Sequence, residues 1–145
     1  MYPSLPSGST VFAFKRAYSD ASSVKRGDII VFTREQDGRR YNYIWRVVGL
    51  PGEKVETFDE SLKINGQDVS RQYIREADGR NIFREHIGNA SYEIAFDVSS
   101  KSGPPTVSLV VPAGCFFVMG DNRSDAHDSR YFGPVAFGSI IGKKL

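Results

Sequence analysis

Gly120-Asp121-Asn122-Arg123-Ser124-Asp125-Ala126-His127-Asp128-Ser129-Arg130-Tyr131-Phe132-Gly133-Pro134 is a polar run that directly follows the apolar segment Cys115-Phe116-Phe117-Val118-Met119. The Pro112-Ala113-Gly114 turn and the apolar run together read as a buried strand that emerges into a loop. Within that loop Asp121, Asn122, Asp125 and Asp128 can fold back onto nearby backbone amides, and Arg123 and Arg130 can bridge carboxylates bidentately. On composition alone it is a rigid surface loop held by Asx turns and ion pairs.

Outward from this loop the chain has the periodicity of strands. Val11 to Phe14, Ile29 to Thr33, Tyr41 to Val48, Val55 to Phe58, Leu62 to Ile64, Tyr92 to Val98, Val107 to Val111, Phe116 to Met119 and Ile140 to Ile141 are short, rich in β-branched or aromatic residues, and separated by turn signals. No window has a convincing helical period. Asn65-Gly66, between the Leu62 strand and Gln67-Asp68-Val69, is the strongest hairpin cue, and Asp37-Gly38 plays the same part between the Phe32 and Tyr41 strands. The expectation is one all-β domain of coiled antiparallel β-sheets over residues 1–145. The stretch Ser70 to Asn89, with Arg71, Arg75, Glu76, Asp78, Arg80, Arg84 and Glu85, reads as a solvated loop of mixed charge.

With 145 residues, 40% of them hydrophobic and 25% charged, the chain can bury a single core. A net charge of +2, with no basic stripe, gives no ground for a nucleic-acid partner. No Cys/His set has zinc spacing, and neither a metal nor a cofactor is expected. Cys115 is alone, so an internal disulfide is excluded, and its apolar neighbours suit a small buried hydrophobe. No stretch approaches the roughly eighteen apolar residues of a membrane span, and no secretory leader is recognisable.

Several segments, in order, resemble the signature boxes of the type I signal peptidases, serine peptidase family S26. Met1-Tyr2-Pro3-Ser4-Leu5 is similar to the box that follows the family's nucleophilic serine, and Arg26-Gly27-Asp28-Ile29-Ile30-Val31-Phe32 resembles its Arg-Gly-Asp strand box. Tyr43-Ile44-Trp45-Arg46-Val47-Val48-Gly49-Leu50-Pro51-Gly52-Glu53 resembles the box that carries a general-base lysine just before its arginine. The run from Gly120 to Arg130 resembles the last box. With Ile64-Asn65-Gly66 and Ile140-Ile141-Gly142-Lys143 the resemblance spans nearly the whole chain. It implies sheets of the signal peptidase/LexA-like type with a variable cap-like insertion at about 66–106. It also implies a membrane-associated serine endopeptidase that removes signal peptides from secreted preproteins at the outer face of the cytoplasmic membrane, resting on the membrane surface.

The resemblance carries departures in the chemistry. In the family a neutral lysine, its pKa depressed by burial, takes the serine proton so that the oxygen can attack a peptide carbonyl. The serine would stand one position before Met1, so the chain is expected to be either a truncated form or a paralogue that has shed its membrane anchor. Trp45 stands where the lysine is expected, and an indole N–H is a donor with no basic lone pair. Ala126 stands where the family has a serine whose hydroxyl helps to hold that lysine. Ser4 occupies a threonine position, Lys15 and Lys54 read as solvated, His127 as exposed and His86 as structural, so none replaces the missing groups.

The resemblance places the site's architecture at Met1, Tyr2, Pro3, Ile44, Trp45, Arg46, Gly120, Asp121, Asn122, Arg123, Ala126, Asp128, Ser129 and Arg130. A peptide would lie extended along the segment after Met1 and the run Tyr43 to Val48. Trp45 would either fill the space of the lysine or stack on the peptide. Three readings are open: a signal peptidase-like domain inactive as given, a non-catalytic paralogue that binds signal or pilin-like peptides, and a bare β scaffold.

Overall fold

The computed structural model describes residues 1–99 and 102–145. Its strands are β1 (Ala13–Phe14), β2 (Ile29–Gln36), β3 (Arg39–Gly49), β4 (Lys54–Phe58), β5 (Ser61–Ile64), β6 (Gln67–Asp68) and β7 (Ser70–Ala77). They continue with β8 (Arg80–Ile87), β9 (Ala90–Asp97), β10 (Val107–Val110), β11 (Cys115–Met119), β12 (Val135–Ala136) and β13 (Ile140–Lys144). Three antiparallel sheets result: a six-stranded one in the order β1-β13-β2-β3-β11-β12, a four-stranded one, β10-β4-β5-β6, and a three-stranded one, β7-β8-β9. The all-β antiparallel class is therefore as the sequence implies. The helical content among the described residues is one turn of α-helix, α1 (Ser129–Phe132), and three short 3-10 turns.

The long β2–β3 hairpin forms because Asp37 and Gly38 take φ of 52° and 72°, the left-handed pair that a two-residue connection requires. From there the ladder runs without a shift from Gln36↔Arg39 to Ile29↔Arg46. Two apolar cores flank the pair β3 and β11. Val47, Phe116 and Val118 face one core with Ile30 and Phe32, whereas Val48, Phe117 and Met119 face the other with Val55, Ile94 and Val111. This explains the uninterrupted apolar run of β11 and the adjacent Val47 and Val48 of β3, which lack the alternation of a half-solvated strand because both faces are covered there. Cys115, expected to be buried, is half-buried and packs at the margin of the second core.

The structure corrects the reading of Ser70 to Asn89 as a loop. It is the β7–β8 hairpin, turned at Asp78 and Gly79 with φ of 52° and 71°. Its charge hides a period-two pattern. Phe83, Glu85 and Ile87 alternate on the face of β8 that meets the protein interior, while Arg84 and His86 point outward. On the outer face Arg75 and Arg84 both reach Glu93 of β9, at 3.2 and 3.3 Å, so opposite charges pair across the sheet. Tyr92, Ile94 and Phe96 of β9 belong to the second core, which ties the three-stranded sheet to the remainder of the protein. His86, read as structural, is exposed on the outward face.

Candidate functional site

Residues 120–130 follow β11, and the structure corrects their reading as a surface loop. Asp121 and Asp128 are 0% exposed, Arg123 2% and Arg130 5%. Buried charges on this scale are tolerated only when each is paired and its remaining hydrogen-bonding sites are filled. Arg46 of β3 grips Asp121 bidentately, Nε to Oδ1 at 2.8 Å and Nη2 to Oδ2 at 2.7 Å, and its Nη1 donates to the Gly27 carbonyl at 2.8 Å. Arg130 holds Asp128 in the same manner at 2.9 Å and donates to the Arg123 carbonyl. Asp128 also accepts from the Gly120 and Arg130 amides, the second of which caps α1. Ser129 Oγ accepts from the Val118 amide at 2.9 Å.

Arg123 takes its partner from outside the motif. Both Nη atoms donate to the Glu85 carboxylate of β8, which also accepts from Arg71 Nε at 2.8 Å and from the Tyr92 hydroxyl at 2.9 Å. Burial alone would raise the Glu85 pKa, but the Arg123 and Arg71 guanidiniums outweigh it and hold the carboxyl at about 2. Burial, with Glu85 beside it, pushes the Tyr92 hydroxyl well above its ordinary value. Sequence reasoning missed Glu85, Arg71 and Tyr92. The signal that could have found them was the carboxylate lying between Phe83 and Ile87 on one strand face.

Trp45 lies on β3 opposite Ile30 and is half-buried against the first core. Its six-membered ring lies over Gly120: a Cβ on Gly120 would be 2.8 Å from Trp45 Cζ3, 3.1 Å from Cε3 and 2.4 Å from Ala126 Cβ. Trp45, Gly120 and Ala126 therefore interlock, and each side chain is small or flat where the others need space. The indole Nε1 is covered and has no acceptor among the described residues. The ring packs on Gly120 and Ala126 on one side and keeps part of its surface exposed.

Met1, Tyr2 and Pro3 are half-buried, and Met1 lies in the field of the Asp121 and Asp125 carboxylates. Ser4 Oγ accepts from Arg46 Nη2 at 3.1 Å, and the Tyr2 hydroxyl donates to Asp78 Oδ2 at 3.1 Å. Ile44 is half-buried. Asn122 is buried, forms a parallel bridge to Ala95, and has no partner for its Oδ1 among the described residues. The structure thus gathers the segments 1–4, 44–46 and 120–130. Within the last segment His127 points to solvent, exposed against Tyr131 and Phe132 with ring centroids 4.9 and 5.7 Å away. Lys15 and Lys54 are exposed, the latter 3.3 Å from Glu56.

One edge of β3 is open. β2 pairs with Arg39–Arg46, and β11 pairs with it only at 46–49, so among the described residues no strand covers the second edge from Arg39 to Trp45. Trp45 stands at the end of that open stretch.

The family model described as signal peptidase, peptidase S26, matches residues 1–145. The chain belongs to the signal peptidase I, peptidase S26 family. A signal peptidase I from Bacillus caldolyticus is 35% identical over 143 residues, covering 99% of this chain and 71% of the relative. One from Pseudomonas fluorescens is 34% identical over 169 residues, covering 99% of this chain and 59% of the relative. The chain thus spans between 59% and 71% of the length of these relatives. A crystal structure of a signal peptidase I from Enterococcus faecalis V583 matches with 35% identity and a TM-score of 0.51, over 83% of this chain and 95% of that one. Membership of signal peptidase I implies signal peptides as the substrate class. No helix among the described residues is long and apolar enough to cross a membrane.

Proposed function

We propose that this signal peptidase I domain binds the signal peptides of secreted preproteins in extended form and leaves them uncut. The observation that carries the reading is Trp45, packed on Gly120 and Ala126 at the place where the family resemblance calls for a basic amine. An indole cannot accept the serine proton, and Ala126 offers no hydroxyl to hold an amine. The ion pairs Arg46–Asp121, Arg123–Glu85 and Arg130–Asp128 keep the architecture whether or not chemistry occurs. A peptide adds to the open edge of β3 through backbone hydrogen bonds, with Met1 to Leu5 as the opposing wall and the segment at about 66–106 as a cap over the cleft. Pilin-like peptides fit the same description.

On the same reading the domain rests on the outer face of the cytoplasmic membrane. Phe12, Phe14 and Leu145 are 71%, 51% and 76% exposed, and the Leu145 amide donates to the Phe12 carbonyl, so they share one edge of the large sheet. Lys15, Arg16 and Lys144 flank them in sequence, a combination of aromatic and cationic groups that suits anionic lipid headgroups.

The test is a cleavage assay with a fluorogenic signal-peptide substrate on the protein as its gene encodes it. The expected result is no turnover, with weak turnover gained when Trp45→Lys and Ala126→Ser are combined with a serine immediately before Met1. Wild-type turnover that is lost on Ser4→Ala or His127→Ala would overturn the proposal.

A further inference from the structure

We infer that the tip of the β7–β8 hairpin positions one wall of the cleft, through a clasp made by Tyr2, Asp78 and Arg80. For its functional consequence this rests on the peptide-binding reading above. Residues 1–5 form a turn closed by the Leu5 amide on the Met1 carbonyl at 2.9 Å, and they belong to no strand. A free turn of this length loses its place to chain entropy unless it is tied down at more than one point.

One tether is the bond from Arg46 to Ser4 Oγ, at 3.1 Å, from an arginine that Asp121 already fixes. The second runs through the hairpin. The Tyr2 hydroxyl donates to Asp78 Oδ2 at 3.1 Å, and the Arg80 guanidinium lies over the Tyr2 ring, 5.2 Å from its centroid. Arg80 Nε stands 2.9 Å from Asp97 Oδ1, at an angle that makes the contact an ion pair and not a hydrogen bond. The Asp97 amide in turn donates to Ser124 Oγ at 2.9 Å. Both tethers therefore end in the loop 120–130, by way of Asp121 and of Ser124. The turn at Asp78-Gly79 sits more than seventy residues from Tyr2 in sequence, as the separation of 76 between the bonded partners shows. Asp78 and Arg80 act through Tyr2 and are positioning residues for the wall.

The test uses the full-length protein with Asp78→Gly, which suits the positive φ of the turn at residues 78 and 79, with Tyr2→Phe, and with the double variant. Hydrogen exchange at the Leu5 amide is followed by NMR, with the Ile82 and Ile94 amides as internal controls, and affinity for a synthetic signal peptide is measured in parallel. Each single variant is expected to raise Leu5 exchange and the peptide Kd by about two- to tenfold, the range of one ordinary hydrogen bond. The controls should not move, and the double variant should be no weaker than either single one, because both remove the same bond. Unchanged Leu5 exchange overturns the clasp, and faster exchange with an unchanged Kd overturns its positioning role. Should the wild type bind no signal peptide, the functional reading fails on its own. Leu5 exchange then still decides the clasp: faster supports it and unchanged overturns it.

Discussion

Replacing Gly120 by alanine adds one methyl group to the most crowded glycine in the structure. The new Cβ would stand 2.4 Å from Ala126 Cβ and 2.8 Å from Trp45 Cζ3, closer than any other glycine's Cβ would come to a neighbour. Gly120 does not occupy the left-handed region, so the backbone itself accepts alanine and the cost is steric. Overpacking of this kind costs about 1–3 kcal/mol. For a domain of this size each kcal/mol lowers Tm by about 2–4 °C, so a fall of about 2–12 °C is expected in a thermal melt followed by circular dichroism. Gly138→Ala is the control, since a Cβ there meets nothing within 4 Å, and it should leave Tm nearly unchanged. Adding Ala126→Gly to Gly120→Ala removes the shorter contact and should restore part of the loss. A Gly120→Ala melt within about 1 °C of wild type, below the cost of any real overlap, would refute the interlock of Trp45, Gly120 and Ala126.

Glu85→Gln should destabilise strongly in urea unfolding, by about 3–5 kcal/mol, because it leaves the buried Arg123 without its countercharge. The same carboxylate gives stability a dependence on acid. Its pKa is about 2 in the folded protein against 4.5 for a free glutamate, so its contribution is complete above pH 4.5 and is lost as pH falls towards 2. Stability measured from pH 6 down to pH 2 should therefore fall more steeply in wild type than in Glu85→Gln, and parallel curves would contradict the assignment.

Much of the fold was legible where local chemistry and long-range packing agree. The hairpin at Asp37-Gly38 and the strand at Cys115–Met119 carry their turn residues and apolar runs openly. The β7–β8 hairpin was not legible, because its outward charges on both strands mask the inward series Phe83, Glu85, Ile87. The loop 120–130 was misread for a related reason. Its charges signal solvent only until partners from distant strands are known, and Arg46, Glu85 and the Gly27 carbonyl lie far away in the chain. Likewise, Trp45 stands out in the motif only by the resemblance, and its packing on Gly120 and Ala126 required the structure.

Trp45 is the single tryptophan within residues 1–145, so the tryptophan emission of this domain reports on the cleft. The most direct test of the account is to titrate the full-length protein with a synthetic signal peptide, following Trp45 emission and recovering the peptide for mass spectrometry. The account predicts a saturable change in emission with every peptide recovered intact. Emission that does not respond, or peptide recovered as two fragments, would contradict it.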